Sequence, residues 1–167
     1  MVRESYHLKM YSLSKREVRH IGDQINSNWP PHNRWNIKNL KAVDAEKHGR
    51  LLVGEELTMI ERKDAFVIPH LTEDVILSTF PFVVVDMGAV GFICNGANVM
   101  RPGITHFEKF AESEILVIKD QMHEKKLAVG ISRLDSEKMK AIGKGPVITN
   151  LHFVGDIFWN LKKGLRK

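Results

Sequence analysis

The side chains that could bind a metal or move a proton are plentiful in this chain but poorly spaced. Eight histidines, His7, His20, His32, His48, His70, His106, His123 and His152, are scattered over 167 residues with no HxxH or HExxH pair. A zinc site would therefore have to be assembled entirely from distant positions. Cys94 is the only cysteine, which excludes an internal disulfide and a multi-cysteine zinc site. Beside Phe92 and Ile93 on a helix it reads as a small core residue, not a nucleophile. The stretch GKGPVITN has glycines and a lysine but not the spacing of a phosphate-binding loop, and no GxGxxG follows a strand. Asp86 and Asp156 stand at strand ends near glycine, where a carboxylate caps backbone N–H groups and does not form an acid–base pair. His152 reads as a satisfied core or rim residue. No catalytic residue, metal ligand or cofactor is expected.

One stretch combines bare backbone with charge. GANVMRPGIT, Gly96 to Thr105, holds two glycines, a Pro-Gly pair and a single arginine. Pro102 fixes its φ and Gly103 permits φ > 0, so RPGI is expected to form a type II turn with Arg101 held extended before the proline. Such a turn displays main chain that a polyanion could approach, with Arg101 able to set a guanidinium on a phosphate. Gly96 and Ala97 serve chiefly to let a helix pack closely. The net charge of +5 and pI of 9.4 favour an anionic partner. The charge is uneven: residues 1–77 hold 12 Lys/Arg against 11 Asp/Glu, residues 78–167 hold 13 against 9, and KKGLRK at the end supplies four positive charges.

These residues must be positioned by a small mixed fold. Ser14 and Glu17 form a capping box, and Val18, Ile21 and Ile25 recur at helical spacing until WPP stops the helix. Arg16, Arg19 and His20 gather on its opposite face, with Asp23 among them. LKAVDAE, RLLVGEELTMIE and DAFVIPHL are expected to form a small sheet with turns at Lys47 to Gly49 and at Lys63 and Asp64. Val83, Val84 and Val85 predict a strand covered on both faces. ILVIKD, KLAVGISRL, PVITN and HFVGDIFW are also strand-length, with Trp159 in the last of them. LDSEKMKAIGKG predicts a short helix capped by Asp135 or Ser136 and stopped at Gly143. The fold class is α+β: a small N-terminal α+β unit over 1–77, then a β pseudo-barrel with two short helices over 78–167, ending in a basic tail. No apolar run reaches the length of a membrane span, and the first residues lack the apolar stretch of a secretory signal, so a cytoplasmic protein is expected.

VVVDMGAVGFICNGANVMRPGIT, KLAVGISRLDSEKM and GKGPVITNLHFVGDIFW together resemble the PUA domain, an RNA-binding fold, from about Phe82 to Leu161. The most specific parts are Val85-Asp86 with Gly88-Ala89, the block from Gly96 to Ile104, and Gly155-Asp156. The preceding residues are similar to the N-terminal unit joined to a PUA domain in the malignant T-cell amplified sequence family and in ligatin. Where such domains usually have Gly-Asp before the strand after the PGI loop, this chain has Ser113-Glu114, which bears on the local turn. The resemblance implies RNA contact through the helix-to-strand loop and the neighbouring final strand, at Gly96, Arg101, Pro102, Gly103, Ile104 and Thr105, with Lys162 and Lys163 beyond that strand. A second surface is expected at Arg16, Arg19, Arg34, Lys38 and Lys41, where Trp35 could stack on a base.

It further implies a non-enzymatic, translation-associated protein that docks on structured RNA, either tRNA or small-subunit ribosomal RNA, together with an initiation-factor-like protein partner and no membrane. Two alternatives stay open. One is an accessory subunit that presents tRNA to a modifying enzyme such as an archaeosine transglycosylase. The other is a protein-interaction module without RNA affinity.

Overall fold

The first helix begins where the capping box places it. In the computed structural model, which describes residues 8–31, 37–64 and 66–166, the Glu17 N–H donates to Ser14 Oγ at 3.2 Å and the Ser14 N–H to Glu17 Oε2 at 2.9 Å. Two orphan donors of α1 (Lys15–Asn28) are thereby satisfied. Ile21 and Ile25 bury one stripe of the helix, and Trp29 caps its end while its indole N–H donates to the Val67 carbonyl at 2.8 Å. The helix connects β1 (Met10–Ser12) to β2 (Lys41–Asp44). With β3 (Gly49–Val53), β4 (Thr58–Arg62) and β5 (Val67–Pro69) these strands form an antiparallel sheet in chain order. RLLVGEELTMIE is thus a hairpin and not one run, with the Gly54 N–H donating to the Leu57 carbonyl at 2.9 Å across its turn. A short helix not expected from the sequence, α2 (Asp74–Leu77), follows.

The second sheet uses β6 (Phe82–Val85), β7 (Val99–Met100), β8 (Ile104–Phe107), β9 (Ile115–Asp120), β10 (Lys126–Ser132) and β11 (Pro146–Phe153), with α3 (Met87–Ile93) after β6 and α4 (Ser136–Ala141) before β11. Its spatial order is β7-β11-β10-β9-β6-β8, parallel between β6 and β9 and antiparallel elsewhere. β7 and β8 therefore lie on opposite edges, yet only the 3-10 turn Arg101–Gly103 separates them in the chain. Four Cα steps span at most about 14 Å, whereas a flat six-stranded sheet would hold its edges about 24 Å apart. The sheet must curl until its edges nearly meet, and the Arg-Pro-Gly turn is the clasp of a pseudo-barrel. Val83 and Val85, fully buried, and Val84, 8% exposed, are covered on both faces as their unbroken run predicts.

Two expectations need correction. The last run is not a strand: β11 ends at Phe153, and α5 (Ile157–Leu165) follows, N-capped by Asp156 Oδ1, which accepts from the Trp159 N–H at 2.8 Å. Phe158, Leu161 and Leu165 recur at helical spacing and pack on the core, so the alternation over 152–159 is the end of one element joined to the start of another. The Pro-Gly turn is also not type II. Gly103 does not take a positive φ, and the Ile104 N–H returns to the Arg101 carbonyl.

One hydrophobic core lies inside the barrel and includes Val83, Val85, Ile93, Val99, Leu116 and Ile148. The other joins the two sheets. It runs from Ile21, Leu51 and Ile60 to Val117, Val129, Leu151 and Phe158, so α5 and the outer face of β9–β11 cover the N-terminal sheet.

Candidate functional site

The clasp is built from three backbone decisions. Asp86 caps α3 by accepting from the Ala89 N–H at 2.9 Å, and its own N–H donates to the Gly103 carbonyl at 2.9 Å. Gly96 has φ 92°, and a Cβ there would meet the Phe153 ring at 3.1 Å. Its glycine is thus required by geometry. A Cβ added at Gly103 would make only ordinary contact with Ala89, so the turn lies next to α3 and leaves room for a small side chain there. The Arg101 N–H donates to the Gly145 carbonyl at 2.8 Å; Arg101 Nε donates to the Met139 carbonyl at 2.9 Å and Nη1 to the Ile104 carbonyl at 3.4 Å. The guanidinium serves mainly to hold the clasp to the end of α4, and Arg101 is half-buried, not displayed.

The other expected site residues divide in the same way. Pro102 and Thr105 are exposed, whereas Ile104 is buried. Lys162 and Lys163 lie within α5, not beyond a strand, and only Lys163 points to solvent. Lys162 Nζ donates to Thr58 Oγ1 at 2.7 Å and pairs with Glu73 Oε1 at 3.2 Å, which ties α5 to the N-terminal sheet. Arg16, Arg19, Lys38 and Lys41 are exposed, while Arg34, Trp35, His7 and His32 fall outside the described residues. Trp29 is buried and Trp159 stacks on His70 at 5.9 Å. Trp29 thus presents no face to a base, and one face of Trp159 is taken by His70.

Sequence reasoning missed the groups around the clasp. Phe92, read from the sequence only as an apolar neighbour of Cys94, is 71% exposed on α3, and Met87 and Met100 are exposed beside the same loop. Helical phase carries the signal, because Ile93 is the buried residue of that turn and its neighbour must face out. Gly91 on this face has open space around it. Lys140 follows the Met139 carbonyl that holds Arg101, and Lys144 precedes the Gly145 carbonyl that does the same; both are exposed. The clasp is thus bordered by bare backbone and one aromatic ring on α3, and by exposed cations beside the two carbonyls that hold Arg101. Among the described residues no group of three His, Cys, Asp or Glu could hold a metal ion, and no helix is long and apolar enough to cross a membrane.

The buried histidines have structural partners. His152 donates from Nδ1 to Asp156 Oδ2 at 2.8 Å and accepts the Leu71 N–H at Nε2, 3.2 Å away. Burial alone would raise the Asp156 carboxyl, but the His152 hydrogen bond and the Trp159 and Phe153 N–H groups outweigh it and leave the group below its ordinary range. His70 accepts the Thr72 N–H at Nδ1 and faces the Phe158 carbonyl with Nε2 at 3.3 Å. Burial, with smaller contributions from His152 and Lys162, pushes its pKa down to about 3. The two rings, 4.7 Å apart, cement the junction of the two sheets.

Residues 81–154 match the PUA domain family. An uncharacterized protein of Methanocaldococcus jannaschii is 36% identical over 92% of this chain and 97% of its own length. Malignant T-cell-amplified sequence 2 of Homo sapiens is 31% identical over 74% of this chain and 71% of its own. Translation machinery-associated protein 20 of Eremothecium gossypii is 29% identical over 65% and 64%. A solved PUA domain structure from Aeropyrum pernix, a tartrate complex, superposes with a TM-score of 0.78 at 20% identity, covering 94% of this chain and 92% of that one. The curled sheet with its clasp and the extent of these matches place the chain in the PUA-domain family that includes the malignant T-cell-amplified sequence proteins.

Proposed function

We propose that the protein is a non-enzymatic RNA-binding factor of the translation machinery, docking on structured RNA through backbone and shape contacts. The observation that carries this reading is the clasp itself, with Pro102 and Thr105 exposed, Lys140 and Lys144 exposed next to the two carbonyls that hold Arg101, and Gly91 and Phe92 exposed on α3. A sugar-phosphate backbone can lie against smooth main chain there, lysines can neutralise phosphates, and Phe92 can stack on an unpaired base. Arg101 and Gly96 act behind this face by fixing its shape, and Lys163 adds charge on α5. The matched relatives, one of them named for the translation machinery, support tRNA or small-subunit ribosomal RNA as the ligand class. An initiation-factor-like protein is the expected partner.

The test is the affinity of the full chain for bulk tRNA and for small-subunit ribosomal RNA across a salt series. Lys140→Ala with Lys144→Ala should flatten the log–log slope by about 0.7 to 0.9 for each phosphate no longer neutralised. Unchanged affinity and slope in that variant would remove the clasp face as the RNA site. Recovery of ribosomal small subunits with the tagged protein supports a translation role, whereas recovery of a transglycosylase-like enzyme replaces it with presentation of tRNA for modification.

A further inference from the structure

A trough crosses the junction of the two sheets on the side of α1. It comprises two adjoining cavities of about 510 and 610 Å³ that share Gln24 and Lys63 as lining residues. The first lies between the polar face of α1, with Arg16 and His20, and Arg50, Glu61 and Arg62 of the sheet. The second continues past Asn28 to Ile131, Thr149 and Leu151 on β10 and β11. Its carboxylates are already engaged: Glu17 and Glu61 hold Arg50 at 3.2 and 2.8 Å, and Asp64 holds Arg62 at 3.0 Å. Arg16 and Lys63 are exposed and have no ion-pair partner among the described residues. The trough therefore offers two unpaired cations, Arg16 and Lys63, beside three carboxylates that share two arginines, and its lining is positive on balance.

β11 connects this trough to the clasp. At one end Pro146 pairs with Met100, next to the Gly145 carbonyl that receives the Arg101 N–H. In the middle, exposed Arg133 donates from Nε to Thr149 Oγ1 at 3.0 Å. At the far end Arg62 Nη1 donates to the Leu151 carbonyl at 2.6 Å. Pro146 to Leu151 covers about 17 Å of strand, the length of about five nucleotides at 3.4 Å per step. Lys144, Arg133 and Lys63 thus lie beside successive parts of β11, and Arg16 lies beyond them in the adjoining cavity.

We propose that the trough is a second phosphate-binding segment, and that one RNA follows β11 from the clasp into it, bridging both sheets. Cations set beside successive parts of β11, and two adjoining cavities together too long for a single small anion, point to a polyanion. The inference rests on the RNA-binding reading of the clasp face and extends it to α1 and the β4–β5 turn.

The experiment uses the full chain with two probes: bulk tRNA, and a hairpin of about five base pairs, a length that β11 alone can accommodate. Arg16→Gln with Lys63→Gln alters only exposed side chains, and circular dichroism and the urea midpoint verify that the variant folds as the parent does. The expected result is a slope against salt for tRNA that flattens by about 1.4 to 1.8 for two phosphates no longer neutralised, a weaker tRNA affinity, and unchanged binding of the hairpin. Arg133→Gln should weaken both probes. If the parent binds both probes and the clasp variant binds neither while the Arg16/Lys63 variant matches the parent on tRNA, the trough proposal is overturned and the clasp reading stands. If the parent binds neither probe, both fall together. Equal losses on hairpin and tRNA would also overturn the bridging path, because the trough would then act independently of RNA length.

Discussion

Ser113 occupies a position where a glycine would be more comfortable. Its φ is 59°, yet the turn survives because Glu114 Oε2 accepts the Ala111 N–H at 2.6 Å, while the Ser113 N–H donates to the Ser132 carbonyl at 3.0 Å. A side chain in the left-handed region costs about 1 to 2 kcal/mol, partly offset by the freedom a glycine loses on folding. Ser113→Gly should therefore stabilise the fold by about 0.5 to 1 kcal/mol, read as a higher urea midpoint; a lower midpoint would show that the serine contributes more than its strain removes. His70 gives a prediction in pH. Its folded pKa of about 3 lies below the ordinary 6.5, so between those values the unfolded chain binds a proton that the folded chain refuses. Stability should fall in this window by about 1.4 kcal/mol per pH unit from this group. Asp156, lowered in the fold, contributes stability above the ordinary carboxylate range that is lost as the pH falls through its own pKa. His70→Gln keeps a donor toward the Phe158 carbonyl, and denaturation curves between pH 7 and pH 4 should then show a shallower loss. An unaltered pH slope would place the acid sensitivity elsewhere.

At the scale of elements, α5 shows what one charged residue does in a helix that joins two sheets. Lys162 has two oxygen partners on the N-terminal side and a side chain only 17% exposed. Lys162→Met should cost about 1 to 3 kcal/mol of stability and leave the salt dependence of RNA binding unchanged; a flattened slope with intact stability would return Lys162 to the RNA face. This helix was also the hardest element to read from sequence. The capping box at Ser14, the Val83–Val85 run and the Asp135 cap of α4 each carry a local signal that the fold obeys. In HFVGDIFW a strand end and a helix start share apolar residues, and only the Gly155-Asp156 pair marks the break. The clasp was legible as a special stretch, but its function was not. Whether Arg101 meets a phosphate or the Met139 carbonyl depends on α4, whose Met139 is 38 residues away in the chain and adjacent in space. Long-range partners of this kind leave no trace in local spacing, and the same holds for Lys140, Lys144 and the partners of Lys162.

At the scale of the molecule, a six-stranded sheet is kept from lying open by three residues between β7 and β8. β7 and β8 do not pair with each other, so it is their enforced proximity that shields N–H and C=O groups which an open sheet would offer to any neighbour. Inserting two glycines between Pro102 and Gly103 should slacken that closure and let copies of the chain pair through the released strands, seen as concentration-dependent oligomers on size-exclusion chromatography. A variant that stays monomeric would show that the rest of the barrel holds itself closed. The short linkage thus does for solubility what it does for shape: it keeps each copy from becoming a template for the next.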